Sequence, residues 1–380
     1  MKLILHIGTG KTGTTSIQNF FAECSAELES LGVLYPVERS VRKNHILFMG
    51  GFVRGDKYNI PHDSIYMGNF DRYKSDFDMF WSRVLLATKR ANIHTVVISA
   101  EQLFRDFSDK SIRQMKNFVA DYFDSVQVVA YVRSPVSDYL SRIAQNLRVG
   151  KEMSTPRHRS LRNVLEYYES QFPGCVTVNA FAREQLQGGD VIQDFVVKYV
   201  PEAKALLEAY NQRFLNTSLP EPLLVKMQEA RVALQPVGAA PKIGTRALVQ
   251  FVSRQYMRRP KDQRSQKGLV LKPEVADFLS RSAVDYLWLR DKYGVQFSDL
   301  DYSVIQEMDN PYDTAKTLYD VAVVDHEGVA NLKDVGLPQS FFMRGLVVAE
   351  FVVRKQMERL YSLYFGNSAI YKALRGLYSK

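Results

Sequence analysis

Short apolar runs rich in β-branched residues alternate along the chain with stretches whose apolar positions recur at helical spacing. Lys2–Ile7 (KLILHI), Thr95–Ser99 (TVVIS) and Val126–Val132 (VQVVAYV) are apolar enough for strands buried on both faces, and Val176–Val178 is a further short one. From Thr14 to Leu31 the positions Ile17, Phe20, Phe21 and Leu28 predict a helix, closed by Gly32. Ser111–Tyr122 predicts another. Strands alternating with helices imply right-handed crossovers and a mostly parallel sheet. After about Glu184 the pattern is mainly helical as far as Tyr293. Asp299–Leu337 is irregular, and the C-terminal stretch beyond it is helical again.

Composition narrows the class. The 380 residues are 46% hydrophobic and 24% charged, which excludes a disordered chain and allows a core without disulfides or metals. The two cysteines, Cys24 and Cys175, form no CxxC, which excludes a disulfide scaffold and a Cys-rich zinc site and suits a reducing compartment. The apolar N-terminal run is too short for a secretory signal, and Leu346–Val353 is interrupted by Glu350 and too short to span a bilayer. The expectation is a soluble cytoplasmic protein.

Charge changes the picture further. The formal net charge is +9, which favours anionic partners. From Lys242 to Lys272 there are nine Lys or Arg against one acid, and from Asp299 to Asp334 nine acids against two lysines. The first block could face an anionic ligand. The second could be a solvated face or could pack against the first. No RNA-binding type of basic stretch interleaved with aromatics occurs, so nucleic acid is not an expected partner.

Two motifs carry candidate chemistry. The first is strand–GTGKTGTTS–helix, residues 8–16. A glycine-rich turn entering a helix exposes successive backbone N–H groups at the positive end of the helix dipole, a cradle for phosphate-like anions. Gly10, Lys11, Thr12, Gly13, Thr14, Thr15 and Ser16 are the candidate binding residues. Gly8 and Gly13 have the separation of the NTPase P-loop, but Thr14 stands where that pattern requires lysine, and Lys11 lies inside the loop. The alternative reading is a plain tight turn. The second motif is AYVRSPVSDYLSR, in which Arg133 ends a strand, Ser134 can N-cap, Pro135 suits the first helical position, and Ser141 follows two turns into the helix. Arg133 and Ser141 could grip one phosphate together. Alone, the arginine could equally be a surface residue paired with a carboxylate.

These residues resemble those of sulfotransferases that use 3′-phosphoadenosine 5′-phosphosulfate (PAPS). In that family a K-[ST]-G-T-T loop holds the 5′-phosphosulfate, matched here by Lys11–Thr15. Tyr131-Val132-Arg133 with Ser141 matches the element that binds the 3′-phosphate. VVISAEQLF resembles the strand that ends in the family's catalytic base. The spelling KTGTTSIQ, Tyr35-Pro36 followed by His45, and Asn216-Thr217-Ser218 are most similar to bacterial sulfotransferases presumed to act on carbohydrates. The Arg-Lys-Gly loop of many members has only a loose counterpart in Arg264–Gly268. The resemblance implies an α/β fold: a P-loop-like three-layer sandwich with a central, mostly parallel sheet over residues 1–298. A C-terminal extension, residues 299–380, is expected to be mainly helical at its end.

In-line sulfuryl transfer follows from the resemblance, with PAPS as co-substrate and no metal required. Lys11 would neutralise the leaving phosphate. A hydroxyl acceptor needs a base. Glu101, at the end of TVVIS, is the first candidate and His45 the second; each could instead be structural, as a salt-bridge partner or an ordinary histidine. The expected acceptor is a carbohydrate or glycolipid hydroxyl, and the basic stretches would suit one already carrying anionic groups. The C-terminal tail, FFMRGLVVAEFVVRKQMERLYSLYF and beyond, could bring the enzyme to the inner face of a membrane, or could pack on the body or on a second subunit. Rival classes are a P-loop kinase or NTPase, and a catalytically silent scaffold of the same fold.

Overall fold

The computed structural model describes residues 1–37, 44–52, 70–90, 92–105, 107–210, 219–235 and 243–365. Asn216–Ser218, Lys242 and the chain after Phe365 lie outside the described residues. The chain divides into two compact units. The first comprises residues 1–134, 160–213 and 285–300, and the second 135–159, 214–284 and 301–380. The sequence expectation placed a single boundary near 298. The chain crosses between units several times instead, because helices from 135–159 and 214–284 share one core with residues 315–335.

The first unit is built on a five-stranded parallel sheet: β1 (Lys2–His6), β2 (Val33–Leu34), β3 (Thr95–Ser99), β4 (Ser125–Val132) and β5 (Val176–Ala180), in the order β2-β3-β1-β4-β5. Side chains alternate between faces along a strand. Ile4, Val97, Val129 and Tyr131 share a core with Ile17, Phe20 and Phe21 of helix α1 (Thr14–Glu23) and with Phe195 and Val196 of the helix Val191–Tyr199. Their strand neighbours Leu3, Leu5, Val96, Ile98, Val128 and Ala130 are just as fully buried. Both faces are therefore covered, as the unbroken apolar runs require. The α/β class with a parallel central sheet holds. The expected helix over 14–31 is broken at Cys24, where a second helix, Ser25–Ser30, begins.

The order of the strands determines where a ligand can sit. Strand β1 is central, with β3 on one side and β4 on the other, so the chain's direction of winding switches at β1. In open parallel sheets the crevice outside the carboxyl ends of the strands at such a point is where ligands bind. The β1–α1 loop, the residues after β3 and those after β4 all meet at that end of the sheet.

The second unit is mainly helical. The helices Pro135–Arg148, Glu221–Leu234, Ile243–Arg258 and Pro273–Arg281 bury Tyr139, Ile143, Leu223, Val252 and Leu279 together with Leu318, Val321 and Leu332. A two-stranded antiparallel ribbon, β6 (Val270–Leu271) and β7 (Ala322–Val323), links the basic and acidic stretches. Lys267 pairs with Asp325 and Arg259 with Asp334, each at 2.7 Å. Parts of the two charge blocks thus pack against each other, while Asp301, Glu307, Asp309 and Glu327 stay exposed. The C-terminal helix Phe341–Phe365 buries Val347 and Phe351, while Arg254 of the helix Ile243–Arg258 bonds its Glu350 at 2.8 Å. Among the described residues no helix is long and apolar enough to cross a membrane.

Candidate functional site

The loop between β1 and α1 is held open by its own backbone. Ile7 and Thr9 continue the β1–β4 pairing past the strand, through Ile7 N–H to Val129 O and Thr9 N–H to Tyr131 O. Thr9 Oγ1 also donates to Tyr131 O (2.9 Å), and Thr12 Oγ1 turns inward to Thr9 O (2.6 Å). Lys11 and Gly13 then both take positive φ, 75° and 73°. For lysine this conformation carries strain, a feature that clusters at ligand sites. At Gly13 it is compulsory: a Cβ there would lie 2.5 Å from Val191 Cγ1 and 2.9 Å from Phe181 Cε2. Past this bend Ser16 N–H and Ile17 N–H close on Gly13 O, and α1 is under way. Among the described residues the N–H groups of Thr12, Gly13, Thr14 and Thr15 meet no acceptor. Four donors in sequence at a helix N-terminus form an anion cradle.

Two side chains border it. Arg133, just past β4, donates from Nε to Lys11 O at 2.7 Å and lies over the Phe181 ring, 4.4 Å from its centroid. Its own carbonyl accepts from Tyr286 Oη (2.7 Å). The guanidinium is thus tied to the loop. Ser134, the candidate N-cap, gives its hydroxyl proton to Asp299 at 2.7 Å. On the other side Glu101 opens the short 3₁₀ turn Glu101–Leu103 after β3. Register pairs His6 with Ser99, and Ala100 N–H donates to His6 O, so Glu101 flanks the loop. Its Oε2 lies 3.9 Å from where a Cβ on Gly10 would stand. Lys11, Arg133 and Glu101 therefore border one loop, from three chain segments.

His45 has another task. It is 1% exposed; its Nδ1 accepts from Ser99 N–H (2.8 Å) and its Nε2–H donates to Pro36 O (2.8 Å). His45 N–H also donates to Ser99 O at 2.9 Å. Strand β2 is only two residues long, so β3 lacks a neighbour at Ser99, and His45 supplies the missing donor and acceptor. Burial pulls its pKa down to about 4. Its one ring lone pair is committed to a backbone N–H, which corrects its candidacy as a base. The Tyr35 ring lies 4.4 Å from it, so the Tyr-Pro…His spelling is a packing unit.

The remaining candidates are placed as follows. Thr14 is buried at the first turn of α1, Thr15 is exposed, and Gly10 and Ser16 are half-buried. Ser141 lies half-buried on the helix Pro135–Arg148 of the second unit. Sequence reasoning missed Phe181, which stacks on Arg133 and backs Gly13; its only signal is its position directly after β5. It also missed a buried polar group of His6, Gln18 and Ser99 beneath the loop. Among the described residues no cluster of three or more His, Cys, Asp or Glu gathers to hold a metal ion.

No family model and no curated protein matches the chain. A solved structure, the crystal structure of a sulfotransferase from Alicyclobacillus acidocaldarius, matches with a TM-score of 0.30 at 13% identity, over 78% of this chain and 96% of its own. Similarity of that degree transfers neither a substrate nor a site.

Proposed function

We propose that the protein is a PAPS-dependent sulfotransferase that moves a sulfuryl group to a hydroxyl of a carbohydrate or glycolipid. The reading is carried by one observation: four unpaired loop amides and Lys11 stand at the switch point of a parallel sheet, between Arg133 and Glu101. The spelling of these residues, Lys11–Thr15 and Tyr131–Arg133, supports it from the sequence side.

Each residue then has a task. The amides of Thr12–Thr15 donate to the 5′-phosphosulfate oxygens at the end of the helix dipole. Lys11 supplies the full positive charge for the leaving phosphate as the sulfuryl group departs. The fork of Arg133, its plane fixed by Lys11 O and Phe181, binds the 3′-phosphate, a role in which the resemblance pairs it with Ser141. Glu101 takes the proton of the acceptor hydroxyl. PAPS itself supplies the transferable group, and a sulfate ester carries less charge than a phosphate ester, so this chemistry calls for no divalent ion.

Calorimetric titration decides between this and a kinase. The expected result is binding of 3′-phosphoadenosine 5′-phosphate without metal, followed by transfer of label from radioactive PAPS to a glycan acceptor. Binding of ATP with magnesium but not of the bisphosphate would overturn the reading.

A further inference from the structure

Two buried polar atoms are left over beneath the loop. His6 is fully buried at the end of β1, and its Nε2 meets no hydrogen-bond partner among the described residues. Thr14, 2% exposed, has its Oγ1 in the same condition. Protein interiors pair nearly all such atoms, so two orphans side by side need a reason. Both face one point: a Cβ built on Gly8 would lie 2.8 Å from His6 Nε2 and 3.0 Å from Thr14 Oγ1. Any residue but glycine at position 8 would come between them.

The neighbours decide the state of the ring. Gln18 Nε2 donates to Ser99 O and to Ser99 Oγ, both at 3.3 Å. The Ser99 hydroxyl accepts from Gln18 and has, among the described residues, no acceptor for its own proton other than His6 Nδ1, 2.9 Å away. The hydrogen-bond network thus assigns the ring proton to Nε2, on the side of Gly8 and Thr14. The rings of Phe195 and Tyr131, 5.2 and 6.1 Å from the imidazole centroid, hold it in place. Burial lowers the His6 pKa to about 3, so the ring stays neutral and Nε2–H is a permanent donor near neutral pH.

We propose that His6 is a positioning residue of the anion loop: its Nε2–H turns the Thr14 hydroxyl, whose oxygen accepts from His6 while its proton is given to an anionic oxygen held by the loop amides. This rests on the phosphosulfate reading of the loop. His6 and Thr14 are not bonded to each other here; an anion that draws the Thr14 proton forward closes the pair. A hydroxyl has one proton to give, and a fixed donor behind the oxygen excludes the orientations that point that proton back into the protein.

A double-mutant cycle tests it, with calorimetric titration of 3′-phosphoadenosine 5′-phosphate into the full chain. His6→Leu and Thr14→Val should each weaken binding about tenfold, the scale of one hydrogen bond to a charged group. The double variant should be no weaker than the weaker single, and His6→Gln, which keeps an N–H near Nε2, should regain most of the affinity. Additive losses, or undiminished binding by His6→Leu, would overturn the proposal. The wild-type chain carries a second readout for the case where His6→Leu does not fold. The ¹⁵N imidazole spectrum should show the Nε2–H tautomer, with a proton signal that shifts when the bisphosphate is added. A proton on Nδ1, or an unmoved signal in a saturated protein, overturns it equally. Failure of the wild type to bind at all would instead take down the functional reading on which this inference rests.

Discussion

Mild acid should destabilise the first unit through two histidines far from any solvent. His6 and His45 are both fully buried, and burial lowers their pKa values from the ordinary 6.5 to about 3 and about 4. The unfolded chain binds a proton at each below pH 6.5, whereas the folded chain does not until pH 4 or lower. Stability is therefore complete above 6.5 and falls with pH below it. At pH 5 each histidine costs about 2 kcal/mol relative to pH 8, and the pair about 4 kcal/mol, a large part of the 5–15 kcal/mol typical of a folded protein. The carboxyls held low by hydrogen bonds and by charge, such as Asp301 and Asp325, titrate below this window. Glu221, pushed up by burial, opposes the trend because its folded form takes up a proton first. Urea unfolding at pH 8, 6.5 and 5 reads the effect, with the m-value constant. His45→Gln should be less stable at pH 8 yet lose only about 2 kcal/mol on going to pH 5. A stability unchanged between pH 8 and 5, or histidine C2 proton signals that all titrate near 6.5, would refute the burial argument.

Gly13→Ala should lose about 1–2 kcal/mol for the left-handed backbone and more for the clash with Val191, lowering the melting temperature and abolishing binding of 3′-phosphoadenosine 5′-phosphate; adding Val191→Ala should recover part of the stability. Glu101→Gln should leave bisphosphate affinity within about twofold of wild type while sulfuryl transfer falls about a hundredfold or more, and retained transfer would remove Glu101 as the base. Asp138→Asn should cost about 3 kcal/mol in a thermal melt, because the buried carboxylate of Asp138 holds Arg142 and Arg159, each at 2.8 Å, and the amide removes the negative charge that both face.

Much of the first unit could be read in advance. TVVIS is the strand β3 residue for residue, and β1 and β4 differ from their apolar runs by one residue at an end. Runs that dense in apolar side chains have no stable place except between two layers of helices. The short β2 could not be read: two residues carry no period, and Val33–Leu34 is a strand only because β3 is beside it. His45 was misjudged for the same reason. A histidine in RKNHILF looks free to titrate until Ser99 of β3 claims one of its ring nitrogens and the Pro36 carbonyl the other.

By itself, then, the sequence determined the elements and the loop, because periodicity, glycine conformation and a strand-to-helix junction are local properties that neighbouring residues settle between them. Which segments border that loop was decided only by tertiary structure. The order β3-β1-β4 brings Glu101 and Arg133 to either side of Lys11, and the burial of β1 leaves His6 and Thr14 facing one another across Gly8. Distances between residues a hundred positions apart depend on how the layers pack, and no local pattern encodes them.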